Sequence, residues 1–192
     1  MLTPLTAISP IDGRYRGKVQ ELAPYFSEYG LFKYRIWVEI EYFIALSELG
    51  LDQFPSISSI GQDFLRGLYS NFSEADAQQI KDIEKTTNHD VKAVEYFIKE
   101  KLKGTKLEEY SEFVHFGLTS EDINNTAYSL VFQRGLNGPL LKALEKVSSL
   151  LVLLIKDTKD MPMLSLTHGQ PATTTTLGKE MAVFHSRLQR QV

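Results

Sequence analysis

Apolar residues recur at helical spacing along most of the chain. Over residues 31–49, Leu31, Tyr34, Val38, Tyr42 and Leu46 fall three or four apart, which sets them on one face of a helix, and Gly50 supplies a stop. Residues 57–72 repeat the pattern. Ser73 with Asp76 three positions on has the form of a capping box, opening a helix through Lys85. The chain then breaks at Thr86-Thr87-Asn88-His89-Asp90, where Asp90 suits an N-cap. Val91, Val94 and Ile98 line one face of the next helix, Phe97 and Leu102 widen the stripe, and Gly104 ends it. Glu95 and Lys99 stand four apart in the favourable order. Thr119 with Asp122 predicts another helix start, with the helix running to about residue 136. Gly138-Pro139 break the chain and restart it, Pro139 being well suited to a first helical position.

Residues 140–159 predict the most apolar helix. From Val147 to Ile155 it has no polar side after Ser149. A helix apolar all round must be buried on every side. Too few other segments remain to surround it, so its neighbours are expected from missing sequence or from other subunits. The last helix is expected from about Thr175 to the final residue, with no Gly, Asn or Pro stop near Val192. That pattern predicts a chain cut within a helix. Residues 1–17, with Pro4, Pro10 and Gly13 and no period, predict an ordered loop. No run alternates with period two and no repeat appears, so the expected fold class is all-α.

Composition narrows the function classes. The 192 residues are 43% hydrophobic, enough to fill a core, and 23% charged with a net charge of −3. Mixed charge without a basic face excludes nucleic acid and membrane surfaces as expected partners. Zero cysteines leave no disulfide, thiolate metal site or thiol nucleophile. Met1-Leu2-Thr3-Pro4 lacks the charged and apolar regions of a signal peptide, and the run at 150–155 is too short to span a bilayer. A soluble cytoplasmic protein is expected.

Three polar patches hold three of the four histidines: Asn88-His89-Asp90, His115 through Thr119-Ser120, and Thr167-His168-Gly169-Gln170-Pro171. Each opens onto a helix-like stretch, where free N–H groups favour a ligand with anionic oxygens. Capping alone accounts equally well for Asn88, Asp90, Thr119 and Ser120. His185, mid-helix with no polar cluster, is assigned as a surface or satisfied core group. The third patch is harder to explain by structure. Gly169 permits close approach of a ligand, and His168 offers an imidazole, a side chain able to give or take a proton.

These patches resemble the front half of the active site of the adenylosuccinate lyase family, within the aspartase/fumarase superfamily. Thr-His-Gly-Gln-Pro-Ala-Thr at 167–173 is similar to one family segment. Ser-Glu-Phe-Val-His-Phe at 111–116, followed by Thr-Ser-Glu-Asp-Ile-Asn-Asn at 119–125, is similar to another. Asn-His-Asp-Val-Lys-Ala-Val-Glu at 88–95 and Pro-Ile-Asp-Gly-Arg-Tyr at 10–15 are the more specific motifs. Leu166 and Thr174 depart from the pattern, where basic and proline residues are common. The likeness covers essentially all 192 residues.

The resemblance implies β-elimination of fumarate from adenylosuccinate, giving AMP, and from the succinylated aminoimidazole carboxamide ribotide. It implies that His168 is the proton donor, with Thr167 beside it on the substrate. Thr119 and Ser120 would bind a succinyl carboxylate. Asn88, His89 and Asp90 would hold the substrate, with His89 a candidate to assist His168. Arg14 and Tyr15 would take the ribotide phosphate. The family's serine general base lies beyond residue 192, so this fragment is expected to be inactive alone. The implied organisation is a helical domain over residues 1–112 and the start of a helical bundle over 113–192, within a homotetramer whose active sites each draw on three chains. No metal or organic cofactor is implied. The alternatives are another fumarate-releasing lyase, such as argininosuccinate lyase, and a helical interaction module without chemistry.

Overall fold

Ser27 starts the longest helix of the first half: its hydroxyl accepts the Gly30 N–H, and α2 runs over Glu28–Ser47 behind a single short turn of helix, α1, at Ala23–Phe26. The computed structural model describes residues 3–192, which form two compact units, one ending at Gly135 and one spanning Leu136–Val192. In the first, α3 (Ser59–Ser70), α4 (Glu74–Thr87), α5 (Asp90–Leu102) and α6 (Ser120–Gly135) accompany α2. The domain division expected at 112/113 falls inside this unit, at the end of a 3-10 segment, Glu108–Phe113.

Two faces of α2 are buried. Phe32, Ile36, Ile40, Phe43 and Ile44 enter the main core with Leu65, Ile80, Val94, Phe97, Ile98 and Leu102. Tyr34, with Leu31, Trp37 and Val38 beside it, packs on Ala127 and Val131 of α6. The predicted stripe therefore divides: Leu31, Tyr34 and Val38 lie on the smaller interface, while Tyr42 and Leu46 join the larger one with 32, 36, 40 and 43. A helix apolar on two sides offers either stripe to a period search. Phe54, in the loop after α2, joins the two ends of the core. It is fully buried, with Phe43 at 4.8 Å, Phe113 stacked at 4.5 Å and Tyr110 at 5.3 Å.

Local signals around α4 and α5 act largely as expected. Ser73 and Asp76 form a reciprocal capping box, and α5 buries Val91, Val94, Phe97, Ile98 and Leu102. Glu95, buried, meets Lys99 at 3.1 Å. The cap of α5 is a correction. His89 holds the N-cap position and Asp90 is the first helical residue.

The second unit begins with a single π-helical turn, Leu136–Leu140, that takes Pro139 inside it, followed by α7 (Leu141–Thr158). The π-turn absorbs the missing N–H of Pro139, so the chain keeps winding where Gly138-Pro139 predicts a break. Strands β1 (Pro162–Thr167) and β2 (Gln170–Thr176) then form an antiparallel hairpin before α8 (Leu177–Gln189). The fold is all-α apart from this hairpin, which the absence of period-two alternation hid. Both its faces are largely exposed, so nothing imposes alternation. The β-branched run Thr173–Thr176 was the available signal. α8 packs on α7 through Gly178, where a Cβ would lie 2.6 Å from the Lys159 Cα. Val147, Leu150, Leu153 and Leu154 of α7 are left between 41% and 57% exposed. No helix among the described residues is long and apolar enough to cross a membrane.

Candidate active site

Two helix N-termini meet in the first unit. Asn88 closes α4 in the left-handed conformation, φ 52°, and gives its N–H to the Glu84 carbonyl. That turn frees His89 to cap α5: the imidazole Nδ1 accepts the Lys92 N–H at 3.2 Å. A nitrogen that accepts carries no proton, so in the neutral ring the proton lies on Nε2. Nε2 faces the Ser120 hydroxyl, 3.4 Å away at the start of α6. Both N-termini carry the positive ends of their helices and unpaired N–H groups.

Arg35 of α2 ties the two starts together from beneath. Its guanidinium donates to the Asp90 carboxylate at 2.6 Å and to the Asn124 side-chain carbonyl at 2.9 Å, and it is buried. Partial burial works against the Asp90 carboxylate, but the Arg35 charge and the Val91 N–H outweigh it and hold its pKa below the usual range. At α6, Asp122 accepts both the Thr119 N–H, at 2.7 Å, and the Thr119 hydroxyl, at 2.9 Å. Those bonds hold the Asp122 carboxyl below its ordinary pKa. Asp122 therefore ties the residue before the helix back onto its first turn, and the Ser120 hydroxyl lies toward His89.

The segment before α6 is conformationally strained. His115 has φ 62° and Gly117 φ 72°; the first is uncommon for a side-chain-bearing residue. The His115 Nδ1–H donates to the fully buried Glu39 carboxylate at 2.6 Å, and the Tyr42 hydroxyl donates to the Phe116 carbonyl at 2.9 Å. The Glu39 hydrogen bond raises the His115 pKa against partial burial, and burial raises that of Glu39. Both shifts have one sense: the pair keeps its proton to higher pH than either group would alone. The second Glu39 oxygen, Oε2, is buried without a hydrogen-bond partner.

Arg14 and Tyr15 lie exposed in the N-terminal segment, the guanidinium carbon 5.5 Å above the Tyr15 ring. In the second unit, His168 and Gly169 are the two turn residues of the hairpin. Thr167 pairs with Gln170 across it, and φ is 51° and 76° at the two turn positions. Two successive positive φ values make a turn that suits the twist of the strands, and Gly169 adopts its value without cost. The turn leaves the His168 side chain exposed at the hairpin tip.

The structure thus brings together His89, Ser120 and Asp90 with Asn88 and Thr119 adjoining them. Arg35, Glu39, Tyr42 and Asn124 support this cluster and have no site role in the sequence reading, where Tyr42 belongs to the apolar stripe and Asn124 to the 119–125 motif. Arg35 and Glu39 had a signal: they are charges four apart in a helix whose neighbours are apolar.

The lyase family model matches residues 13–192. The adenylosuccinate lyase of Dictyostelium discoideum is 53% identical over 199 residues, covering 100% of this chain and 42% of that protein. That of Haemophilus influenzae is 47% identical, covering 99% of this chain and 42% of its own length. That of Escherichia coli K12 is 45% identical over the same shares, 99% and 42%. The chain spans about two-fifths of the length of these curated relatives. Among solved structures, the crystal structure of a fumarate lyase from Mesorhizobium sp. BNC1 is similar in fold. Its TM-score is 0.70 at 22% identity, over 91% of this chain and 38% of that one.

Proposed function

Because this chain belongs to the lyase family, we propose that it is the N-terminal part of an enzyme that releases fumarate from adenylosuccinate, and from the related succinylated ribotide, by β-elimination. The observation that carries the reading is the meeting of two helix N-termini at His89 and Ser120, in the segments that resemble the lyase motifs. Such a place favours the carboxylates of an anionic substrate.

In the elimination, a proton leaves the carbon beside a carboxylate while the C–N bond breaks. Negative charge grows on that carboxylate, and the departing nitrogen takes the bond's electron pair and needs a proton. Ser120 and the first N–H groups of α6 stabilise the carboxylate, with Thr119, its hydroxyl held by Asp122, beside them. Asn88, His89 and Asp90 hold the substrate, His89 through its Nε2–H. Arg14 and Tyr15 take the phosphate, for which a guanidinium fork is well shaped. His168, at an exposed hairpin tip with Thr167 beside it, delivers the proton to nitrogen. In this reading the general base is a serine supplied by the part of the relatives that this chain does not span.

The same reading makes the full-length enzyme a cytoplasmic homotetramer, its helical bundle beginning near residue 113. The exposed apolar side chains of α7 support the association, since a large open patch seldom stays in water. The test is fumarate release by the full-length protein from adenylosuccinate and from argininosuccinate. Turnover of the first alone is expected. Turnover of the second alone makes it a different lyase, and turnover of neither leaves a helical interaction module.

A further inference from the structure

Arg35, Glu39 and Tyr42 fall at i, i+4 and i+7, one line along α2. The rest of that helix is largely apolar where it is buried. Each of the three reaches a different strut of the candidate site. Arg35 grips Asp90 at the start of α5 and Asn124 in α6. Glu39 holds the His115 imidazole, and Tyr42 holds the backbone of Phe116. These last two bonds span the stretch where His115 and Gly117 take positive φ, two residues before Thr119.

Stability alone is a poor account of the stripe. A buried ion pair seldom improves on well-packed apolar side chains. Here Glu39 is fully buried with one oxygen unpaired, a costly arrangement that a folding role would not retain. What the stripe does is fix three separate segments to one rigid helix. To the apolar packing of α5 and α6 on α2 it adds polar ties at the helix starts, close to where His89 approaches Ser120 at 3.4 Å.

We propose that Arg35, Glu39 and Tyr42 are positioning residues that set His89, His115 and Ser120 relative to one another without touching substrate, a role that rests on reading the α5 and α6 starts as the substrate site. Glu39 has a second task. By bonding the His115 Nδ1 it fixes that ring's orientation with Nε2 free, and it raises the pH at which the ring loses its charge. The charged groups facing His115 are Glu39 from α2, Lys92 and Glu95 from α5, and Asp122 from α6. Three of the four are acidic, so the surroundings favour the imidazolium.

Two measurements test this. In the 192-residue chain, the His115 ring is titrated by NMR in wild type and Glu39→Gln, which keeps the shape and removes the charge. The midpoint should fall toward the ordinary histidine range; an unchanged midpoint overturns the charge role. In the full-length protein, Arg35→Lys, Glu39→Gln and Tyr42→Phe are assayed on adenylosuccinate, per folded molecule. Arg35→Lys and Glu39→Gln should lose roughly 10- to 100-fold in kcat/KM, the usual effect of removing a support from a site, with Tyr42→Phe losing less. In Glu39→Gln, KM should begin to rise at lower pH than in wild type. If the variants lower only the folded fraction, with KM and its pH dependence unchanged, the stripe is structural and the proposal is wrong. If wild type itself has no turnover, the function it rests on fails, and the positioning role with it.

Discussion

Replacing Phe54 by alanine removes the ring that joins the two ends of the main core. The ring is fully buried and makes three aromatic contacts at 4.5–5.3 Å, to Phe113, Phe43 and Tyr110. The surrounding rings come from α2 and from the segment before α6, so the hole cannot close by moving one side chain. A Phe→Ala change at such a site costs about 3–5 kcal/mol, and poor collapse puts Phe54→Ala near the upper end. Set against a typical stability of roughly 5–15 kcal/mol, this takes a third or more of the total. For a unit of this size the melting temperature should fall by roughly 10–20 °C. The chain has one tryptophan, Trp37 on α2, stacked on Tyr69 at 5.3 Å, so its fluorescence reports unfolding of the first unit. Urea titration followed at Trp37 gives the difference directly. Ile60→Ala is the control, since Ile60 is 81% exposed and should cost under about 0.5 kcal/mol. A Phe54→Ala loss below about 1.5 kcal/mol, or equal losses at both positions, would refute the placement of Phe54 in the core.

Ser73→Ala removes one half of the capping box at α4 and should cost about 1 kcal/mol in the same titration; no change would mean that the helix start does not depend on it. Gly178→Val places a side chain where a Cβ already lies 2.6 Å from the Lys159 backbone. It should strip hydrogen-exchange protection from the amides of α8, and retained protection contradicts the α7–α8 contact. The stability of the first unit should also depend on pH in two opposite senses. His115 has a raised pKa in the folded state, so its contribution is complete below about pH 6.5, the ordinary histidine value, and is lost as pH climbs through the folded value. Glu39, also raised, acts in the same sense. Asp90, lowered beside Arg35, contributes above about pH 3.9 and is lost as acid protonates it. Urea midpoints measured across neutrality should therefore decline on the alkaline side, and decline less in Glu39→Gln; identical slopes would contradict the His115–Glu39 pairing.

Much of this was legible in the sequence because it depends on local chemistry. The capping box at Ser73, the apolar stripe of α5 and the glycine stop at Gly104 are each written within a few residues. So are the polar patches at 88–90 and 115–120. The failures share a cause: tertiary context chose between local options. The stripe 31, 34, 38, 42, 46 of α2 crosses two buried faces, its first three positions on the smaller and its last two on the larger, and only the fold tells them apart. Asp90 is a good cap in isolation, but Arg35 claims its carboxylate from 55 positions away and His89 takes the cap. The hairpin around His168 escaped detection because its strands bury neither face. Arg35, Glu39 and Tyr42 went unnoticed as a group for the opposite reason. Their spacing is local, but their partners lie 55 to 89 positions further on.

The central claim is most directly tested at His168 in the full-length protein. If His168 protonates the departing nitrogen, His168→Gln keeps a similar size and some hydrogen bonding but cannot deliver a proton. Turnover of adenylosuccinate should then fall by about 10²- to 10⁴-fold, the usual contribution of a general acid. Substrate affinity should change far less, because the carboxylate and phosphate contacts proposed for Ser120, Thr119, Arg14 and Tyr15 would remain. Turnover left intact with weakened binding would contradict the account: His168 would then hold substrate, and His89 would become the candidate acid.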